Sequence, residues 1–371
     1  MEPFRLENVP AGARVVVAMS GGVDSATVAG VLVREGYEVV GITLQLYDQG
    51  RAVGTRGRTC CAGQDIHDAR RVAGVLGIPH YVLDYESRFR DEVIGPFADS
   101  YARGETPVPC VLCNQTVKFR DLLQAARDLG ASALATGHYA RRTEGAQGPE
   151  LHSAADNGRD QSYFLFQTTR DQLEFVRFPL GVLTKDETRA LARELALPVA
   201  SKKDSQDICF VPGGDHRQLV SQLRPDAGAP GEVVDGSGRV LGGHKGIGGF
   251  TVGQRRGLGV ETGERLFVER IEPETRRVVA APRSALARER VALRDMNWLG
   301  DGAPAGSRVT VKLRAGMAPV PGVIEDADGG FYVRLDSPAY GVAPGQGCVF
   351  YDRTRVLGGG WIAREDAARA A

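Results

Sequence analysis

The apolar positions fall in short runs cut by glycine, and the first run sets the pattern. Val15-Val16-Val17-Ala18-Met19 is continuously apolar and opens onto Ser20-Gly21-Gly22, which reads as a fully buried strand entering a turn. Ala26 to Arg34 follows with helix-compatible spacing. Glu38–Leu46, His80–Asp84 and Ala133–Thr136 repeat the strand pattern. Between them, Gln64–Leu76 has helical periodicity and stops at Gly77, with Pro79 beyond. Glu86–Arg103 reads as a helix, and so does Asn114–Leu129, ended by Gly130. Asp48–Thr59, rich in Gly and Arg, reads as a loop. Strands alternating with helices predict an α/β fold with a doubly wound parallel sheet. Ligands of such sheets sit at the C-terminal strand ends, near a topological switch. The loop after Met19 and the pair Gly137-His138 both follow strand ends, so one shared pocket is expected.

The pattern changes near Asp215. Gly231–Gly236 and Arg239–Gly242 predict a hairpin, and Arg265–Glu269 and Arg277–Ala281 further short strands. From about Leu293 the chain reads as β throughout: Arg308–Leu313, Gly322–Ile324, Phe331–Leu335 and Cys348–Tyr351. Short strands at this spacing predict a small barrel. The expected domains are 1–214, a small mostly-β segment 215–284, and a C-terminal barrel 285–371. The tail after Arg364 is expected to fray.

Composition narrows the function. The 371 residues suffice for two or three domains, and 42% hydrophobic content supports a sizeable core. Lys+Arg 46 balances Asp+Glu 46, so any nucleic-acid contact must rest on local patches. No apolar run is long enough to span a membrane. The first residues lack the order of a signal peptide. A cytoplasmic enzyme is expected, in which the 6 Cys read as redox, metal or catalytic groups rather than structural disulfides.

Two stretches carry candidate chemistry. Ser20-Gly21-Gly22-Val23-Asp24-Ser25 sits between strand and helix, where backbone N–H groups and the helix dipole bind anions. Its glycines can take positive φ. Ser20 and Ser25 add hydroxyls, and Asp24 can hold a metal ion that neutralises phosphate. The plain alternative is a tight turn with Asp24 or Ser25 as helix N-cap. The chain has no G-x-x-x-x-G-K-S/T, so this is not a Walker loop. In Thr106-Pro107-Val108-Pro109-Cys110-Val111-Leu112-Cys113-Asn114 the prolines stiffen a loop, and Cys113 is expected at a helix start. A helix N-terminus favours the thiolate, and Lys118 and Arg120 add positive charge. A further thiol, Cys209, follows Lys202-Lys203-Asp204-Ser205-Gln206-Asp207-Ile208.

The opening hexapeptide, with Ala18-Met19 before it, resembles the PP-loop of ATP pyrophosphatases. Together with Cys113-Asn114, Lys118-Phe119, Thr136-Gly137-His138, Asp160-Gln161-Ser162-Tyr163-Phe164, the Cys209 segment and Gly253-Gln254-Arg255-Arg256-Gly257-Leu258-Gly259, the chain resembles the tRNA-specific 2-thiouridylases (the MnmA family) from end to end. The resemblance implies an adenine nucleotide alpha hydrolase-like fold and 2-thiolation of the wobble uridine, position 34, of tRNA. ATP and Mg²⁺ would activate the base carbonyl by adenylation, with AMP and pyrophosphate as products. A persulfide on Cys209, loaded by an external sulfur donor, would supply sulfur, with Cys113 as the second catalytic thiol. Both would need reduction if left as a disulfide. The resemblance places ATP contacts at Ala18 to Ser25, Leu44 and Gly137. It places tRNA contacts at Val108, Pro109, Cys110, His138, Arg159, Asp160, Gln161, Arg314 and Gln346.

Three departures stand out. Leu44 replaces a frequent Met, and Ala315 replaces a frequent Tyr beside Arg314. Cys110 stands where many members have Asp, so Cys110, Cys113 and Cys209 form a possible ligand set for a 4Fe–4S cluster. Cys60 and Cys61 read as bystanders, and Cys348 as a barrel-strand residue. Two other readings compete: a PP-loop amidating synthetase, which needs no paired thiols, and a non-catalytic RNA-binding module, which needs no nucleotide loop.

Overall fold

A computed structural model describes residues 4–47, 61–204, 208–211, 213–260, 263–327 and 329–364. The 48–59 loop, Cys60, the Cys61 side chain and the tail after 364 lie outside the described residues. The chain divides into two units, one comprising Met1–Glu92, Cys110–Phe210 and Thr354–Val356, the other Val93–Pro109, Val211–Arg353 and Leu357–Ala371.

In the first unit the apolar runs become strands β1 (Arg14–Ala18), β2 (Glu38–Gln45), β3 (His80–Asp84) and β4 (Ala133–Ala135). A hairpin, β5 (Ala140–Gly145) and β6 (Gly148–Ser153), precedes the short β7 (Val176–Arg177). The sheet order is β3-β2-β1-β4-β7, parallel throughout. β1 is central, and Val15, Val16 and Val17 are fully buried, which explains their unbroken apolar run. From β1 the chain moves to β2 on one side and later returns to β4 on the other. The loops leaving β1 and β4 therefore diverge and open a crevice, the switch point expected from the sequence. Helix α1 (Val23–Arg34) buries nearly all its residues against this sheet, and α2 (Cys61–Leu76) ends before Gly77 at φ +67°.

Two helices differ from expectation. The stretch expected over 86–103 is α-helical at Glu86–Phe89, π-helical at Arg90–Ile94 and α-helical again at Gly95–Ala102. Pro96 has no N–H to donate, and the wider winding just before it accommodates that loss. The helix expected from Asn114 begins at Pro109, whose fixed φ and missing N–H suit a first turn. Cys113–Leu122 is π-helical and Leu123–Asp128 α-helical, ending before Gly130 at φ +69°.

In the second unit, β8 (Gly231–Val234), β9 (Val240–His244), β10 (Leu266–Glu272) and β11 (Arg277–Pro282) form a sheet in the order β10-β11-β8-β9. The expected hairpin is β8–β9. Six strands follow: β12 (Ala287–Trp298), β13 (Arg308–Lys312), β14 (Val320–Ala327), β15 (Gly330–Tyr340), β16 (Gly347–Asp352) and β17 (Arg355–Ile362). Their order β12-β15-β14-β13-β16-β17 closes through β12–β17 pairing, which removes the open edges. The barrel is therefore real. It starts earlier than the alternation around Leu293 suggested, because Ala287–Arg290 pairs with β15 while its arginines stay largely exposed. Val291, Val311, Ile324, Val333 and Phe350 fill it, and Cys348 is fully buried in β16.

Candidate active site

The loop after β1 is built by backbone geometry. Gly21 takes φ +76°, and a Cβ there would lie 2.2 Å from the Asp65 carbonyl oxygen. Gly22 is the helix N-cap, and no side chain caps α1. Neither Asp24 nor Ser25 takes that role. The Ser25 hydroxyl instead accepts the Ser20 N–H at 3.1 Å, which folds the loop back on itself. Gly137 packs against this loop, where a Cβ would approach the Ser25 nitrogen to 2.9 Å.

The two loops share one cavity of about 260 Å³. Ala18, Met19, Ser20, Asp24 and Ser25 line it from the first loop, and Thr136, Gly137 and His138 from the second. Leu44 closes a third side, and Gln161 also faces in. Of the remaining expected ATP positions, Val23 is buried in the core, and Gly21 and Gly22 shape the loop without lining the cavity. The helix that carries the thiols also faces in: Lys118 and Leu122 line the cavity, while Cys113 lies about one turn and Cys110 about two turns before Lys118 on that helix.

The thiols differ from expectation in one respect. Cys113 is not at the helix start but in the turn after it, beyond the reach of most of the dipole. It is buried, and burial pushes its thiol above the ordinary value, with the Lys118 charge opposing and Cys110 reinforcing that rise. Cys110 and Cys209 reach solvent, yet the protein packed around them still desolvates them. Burial raises Cys110, again against Lys118. Cys209 is pushed up to about 12 by burial, then by Cys113 and Cys110. The three thiols are thus near enough to feel one another. All the described cysteines are free, and no three His, Cys, Asp or Glu side chains among the described residues gather into a metal-holding group. The thiols as arranged do not fit an iron–sulfur cluster.

A chain of charges runs from the loop to the segment bearing Cys209. Lys185 Nζ lies 2.7 and 2.9 Å from the two Asp24 oxygens and 2.8 Å from Asp204 Oδ1. Arg159 and Arg189 also pair with Asp204, at 3.0 and 2.9 Å. Burial alone would raise the Asp204 carboxyl, but these cations hold it below its ordinary value. Lys202 adds a second tie, donating to the Gly21 carbonyl at 3.0 Å and to Asp65 and Asp68 at 2.7 Å each. Lys185 opens a helix (Lys185–Glu194) fixed by a capping box of Thr184 and Glu187. Sequence reading named Lys202 and Asp204 only as part of the run before Cys209 and missed Lys185 altogether, because no local motif marks partners drawn from distant segments. Removing Lys185 would leave two partly buried carboxylates short of a cation. Lys185→Met is expected to cost about 3 kcal/mol and to lower the thermal transition by roughly 5 °C or more. An unchanged melting curve would contradict this.

The expected tRNA contacts separate. His138 is on the cavity wall, with Nδ1 2.8 Å from Thr136 Oγ1, and burial beside Lys118 keeps it neutral by holding its pKa well below the usual value. Asp160 accepts from the Ala154 and Ser162 backbones, and Gln161 accepts the Tyr139 N–H at 2.9 Å, so both brace the turn. Val108 and Pro109 are buried. Arg314 and Gln346 belong to the second unit, Arg314 exposed between β13 and β14, Gln346 donating to the Thr106 carbonyl at 2.8 Å.

Fold and crevice together define a nucleotide-binding α/β unit of the PP-loop class, joined in one chain to β-rich segments. Residues 13–213 match the family described as tRNA methyl transferase HUP domain, 218–282 its PRC-barrel domain, and 288–362 the aminomethyltransferase beta-barrel domain. The tRNA-specific 2-thiouridylase MnmA of Rhodospirillum centenum is 60% identical, covering 100% of this chain and 96% of that protein. That of Rhodospirillum rubrum is 60% identical over 98% and 99%. Among solved structures, the U34-tRNA thiolase NcsA of Methanococcus maripaludis with its 4Fe–4S cluster shares 15% identity over 61% of this chain and 69% of that one. The TM-score is 0.36. The chain belongs to the tRNA-specific 2-thiouridylase (MnmA) family, whose members are tRNA sulfurtransferases.

Proposed function

We propose that this enzyme replaces the 2-oxygen of the wobble uridine in tRNA with sulfur, at the expense of ATP. One observation carries the reading: a single helix lines the loop cavity through Lys118 and Leu122 and bears Cys110 and Cys113. Nucleotide and sulfur chemistry are thereby adjacent, as an activate-then-substitute reaction requires.

ATP enters with its magnesium ion as substrate, gripped by Ala18 to Ser25, Leu44 and Gly137. Asp24 lines the cavity and would share the cation, loosening its hold on Lys185. The base must leave the anticodon stack to reach this crevice. Its 2-carbonyl oxygen gives an electron pair to the α-phosphorus, the bond to the bridging oxygen breaks, and pyrophosphate leaves with that pair. The uracil N3 proton passes to water. The terminal sulfur of a Cys209 persulfide then attacks C2, and AMP leaves with the C2–O pair. The Cys113 thiolate attacks the Cys209 sulfur, so that the S–S pair departs on the new 2-thiocarbonyl. A Cys113–Cys209 disulfide remains, and a dithiol reductant returns two electrons to it. A persulfide is more acidic than a thiol, so sulfur bound to Cys209 is anionic where the bare thiol is not.

The sulfur arrives from a persulfide donor protein, in a reducing cytoplasmic setting where such thiols survive. Val108, Pro109, Cys110, His138, Arg159, Asp160, Gln161, Arg314 and Gln346 are proposed to position tRNA. We read the chain as a catalytic segment 1–214, a central tRNA-contacting segment 215–284 and a barrel 285–371. Among the described residues no helix is long and apolar enough to cross a membrane. Incubation with ATP and substrate tRNA should yield AMP and pyrophosphate in equal amounts. Release of ADP and phosphate would overturn the reading.

A further inference from the structure

We propose that Lys118 is a catalytic cation shared by both half-reactions, contacting the α-phosphate during adenylation and holding the sulfur nucleophiles as anions during transfer. This rests on the thiolation reading above.

Helix winding puts Lys118 where both events occur. In an α-helix, residues five apart point about 140° away from each other. Cys113–Leu122 is π-helical, and its i to i+5 closure brings Lys118 over the turn that begins at Cys113. π-turns of this kind recur at functional sites because they re-aim side chains. Lys118 lines the same cavity as Ser20 on one loop and His138 on the other.

The side chain is aimed but not neutralised. Lys118 Nζ donates to Asn114 Oδ1 at 3.0 Å, and the buried Asn114 is fixed in turn by donating to the Phe164 carbonyl at 3.1 Å. An amide oxygen orients an ammonium without cancelling its charge. No carboxylate pairs with Lys118 among the described residues. The titratable groups around it are Cys110 and Cys113 on its own helix, Cys209 on the segment after Ile208, His138 after β4, and Asp24 on the first loop. His138 is neutral, and Asp24 is held by Lys185. The Lys118 charge opposes the burial of all three thiols. A fixed cation on the cavity wall is also what a phosphorus centre gaining negative charge requires.

Full-length Lys118→Gln, Lys118→Met and Lys118→Arg proteins test this, each checked for folding by thermal melting. Two quantities are read: AMP formation with ATP and substrate tRNA, and the pH profile of iodoacetamide labelling at Cys113 and Cys209 in the free enzyme, followed by peptide mass spectrometry. The glutamine and methionine variants are expected to form AMP at least about 100-fold more slowly, with labelling shifted to higher pH. Lys118→Arg should keep the wild-type labelling profile. Since methionine preserves the aliphatic stem, a folding failure of the glutamine variant alone leaves the test intact. Wild-type AMP rates in a folded neutral variant, or an unmoved labelling profile, would overturn the proposal. A wild-type protein that forms no AMP sinks the thiolation reading instead, while labelling still decides whether Lys118 governs the thiols.

Discussion

Cys209→Ser is expected to lower 2-thiouridine formation by at least about 10³-fold while ATP-dependent AMP formation continues. A serine hydroxyl cannot carry sulfane sulfur. Cys209 is held in a turn just before Phe210, whose ring meets Phe89 edge-on at 5.6 Å, so the small substitution leaves the anchor in place. Neither Cys209 nor Cys113 lines the nucleotide cavity. Cys113→Ser should therefore show the same split, because resolving the persulfide needs its thiolate. Nucleoside mass spectrometry and pyrophosphate release, taken from one sample, check both variants. Thiolation surviving in Cys209→Ser would show that sulfur travels another way. Loss of AMP as well would show that the thiol supports the nucleotide site.

The second large effect is expected at Gly21. Alanine there must occupy φ +76°, at about 1–2 kcal/mol, and its Cβ meets the Asp65 carbonyl oxygen at 2.2 Å. That carbonyl belongs to α2 and cannot swing aside like a side chain, so the loop itself must move. A displacement near 1 Å costs catalysis about 100-fold. AMP formation by Gly21→Ala should fall by at least that factor, with a lowered thermal transition. Gly22→Ala is the contrast: φ is −89°, and the nearest atom to a new Cβ, Ser20 Oγ, is 3.5 Å away. It should melt within about 2 °C of wild type. Equal melting behaviour of the two variants would contradict this account of the loop.

Four strands of the central sheet were legible, β1 and β4 most plainly, because a strand buried on both faces is a continuous apolar run and needs no alternation. The two-residue β7, Val176-Arg177, is too short to leave a pattern. The shared crevice followed from the same pattern, since Gly137-His138 closes a strand as Ser20 does. The β5–β6 hairpin was not legible. Ala140-Arg141-Arg142-Thr143-Glu144 is polar and pairs through its backbone, with Arg141 donating to the Ser153 carbonyl and Arg142 to the Leu173 carbonyl. Cys113 was misplaced because Pro107 and Pro109 read as stiffening a loop, whereas Pro109 starts the helix. The π-winding after Cys113 leaves no composition signal, so the aim of Lys118 was invisible. The Asp24–Lys185–Asp204 contacts join segments far apart in sequence, which no local pattern encodes.

The most direct test of the central claim is mass spectrometry of nucleosides from unmodified tRNA incubated with the purified full-length enzyme, ATP, Mg²⁺ and a persulfide donor. The account predicts 2-thiouridine at the wobble position, dependent on ATP and matched by AMP. Unchanged uridine there, with the enzyme folded and AMP formed, would contradict it.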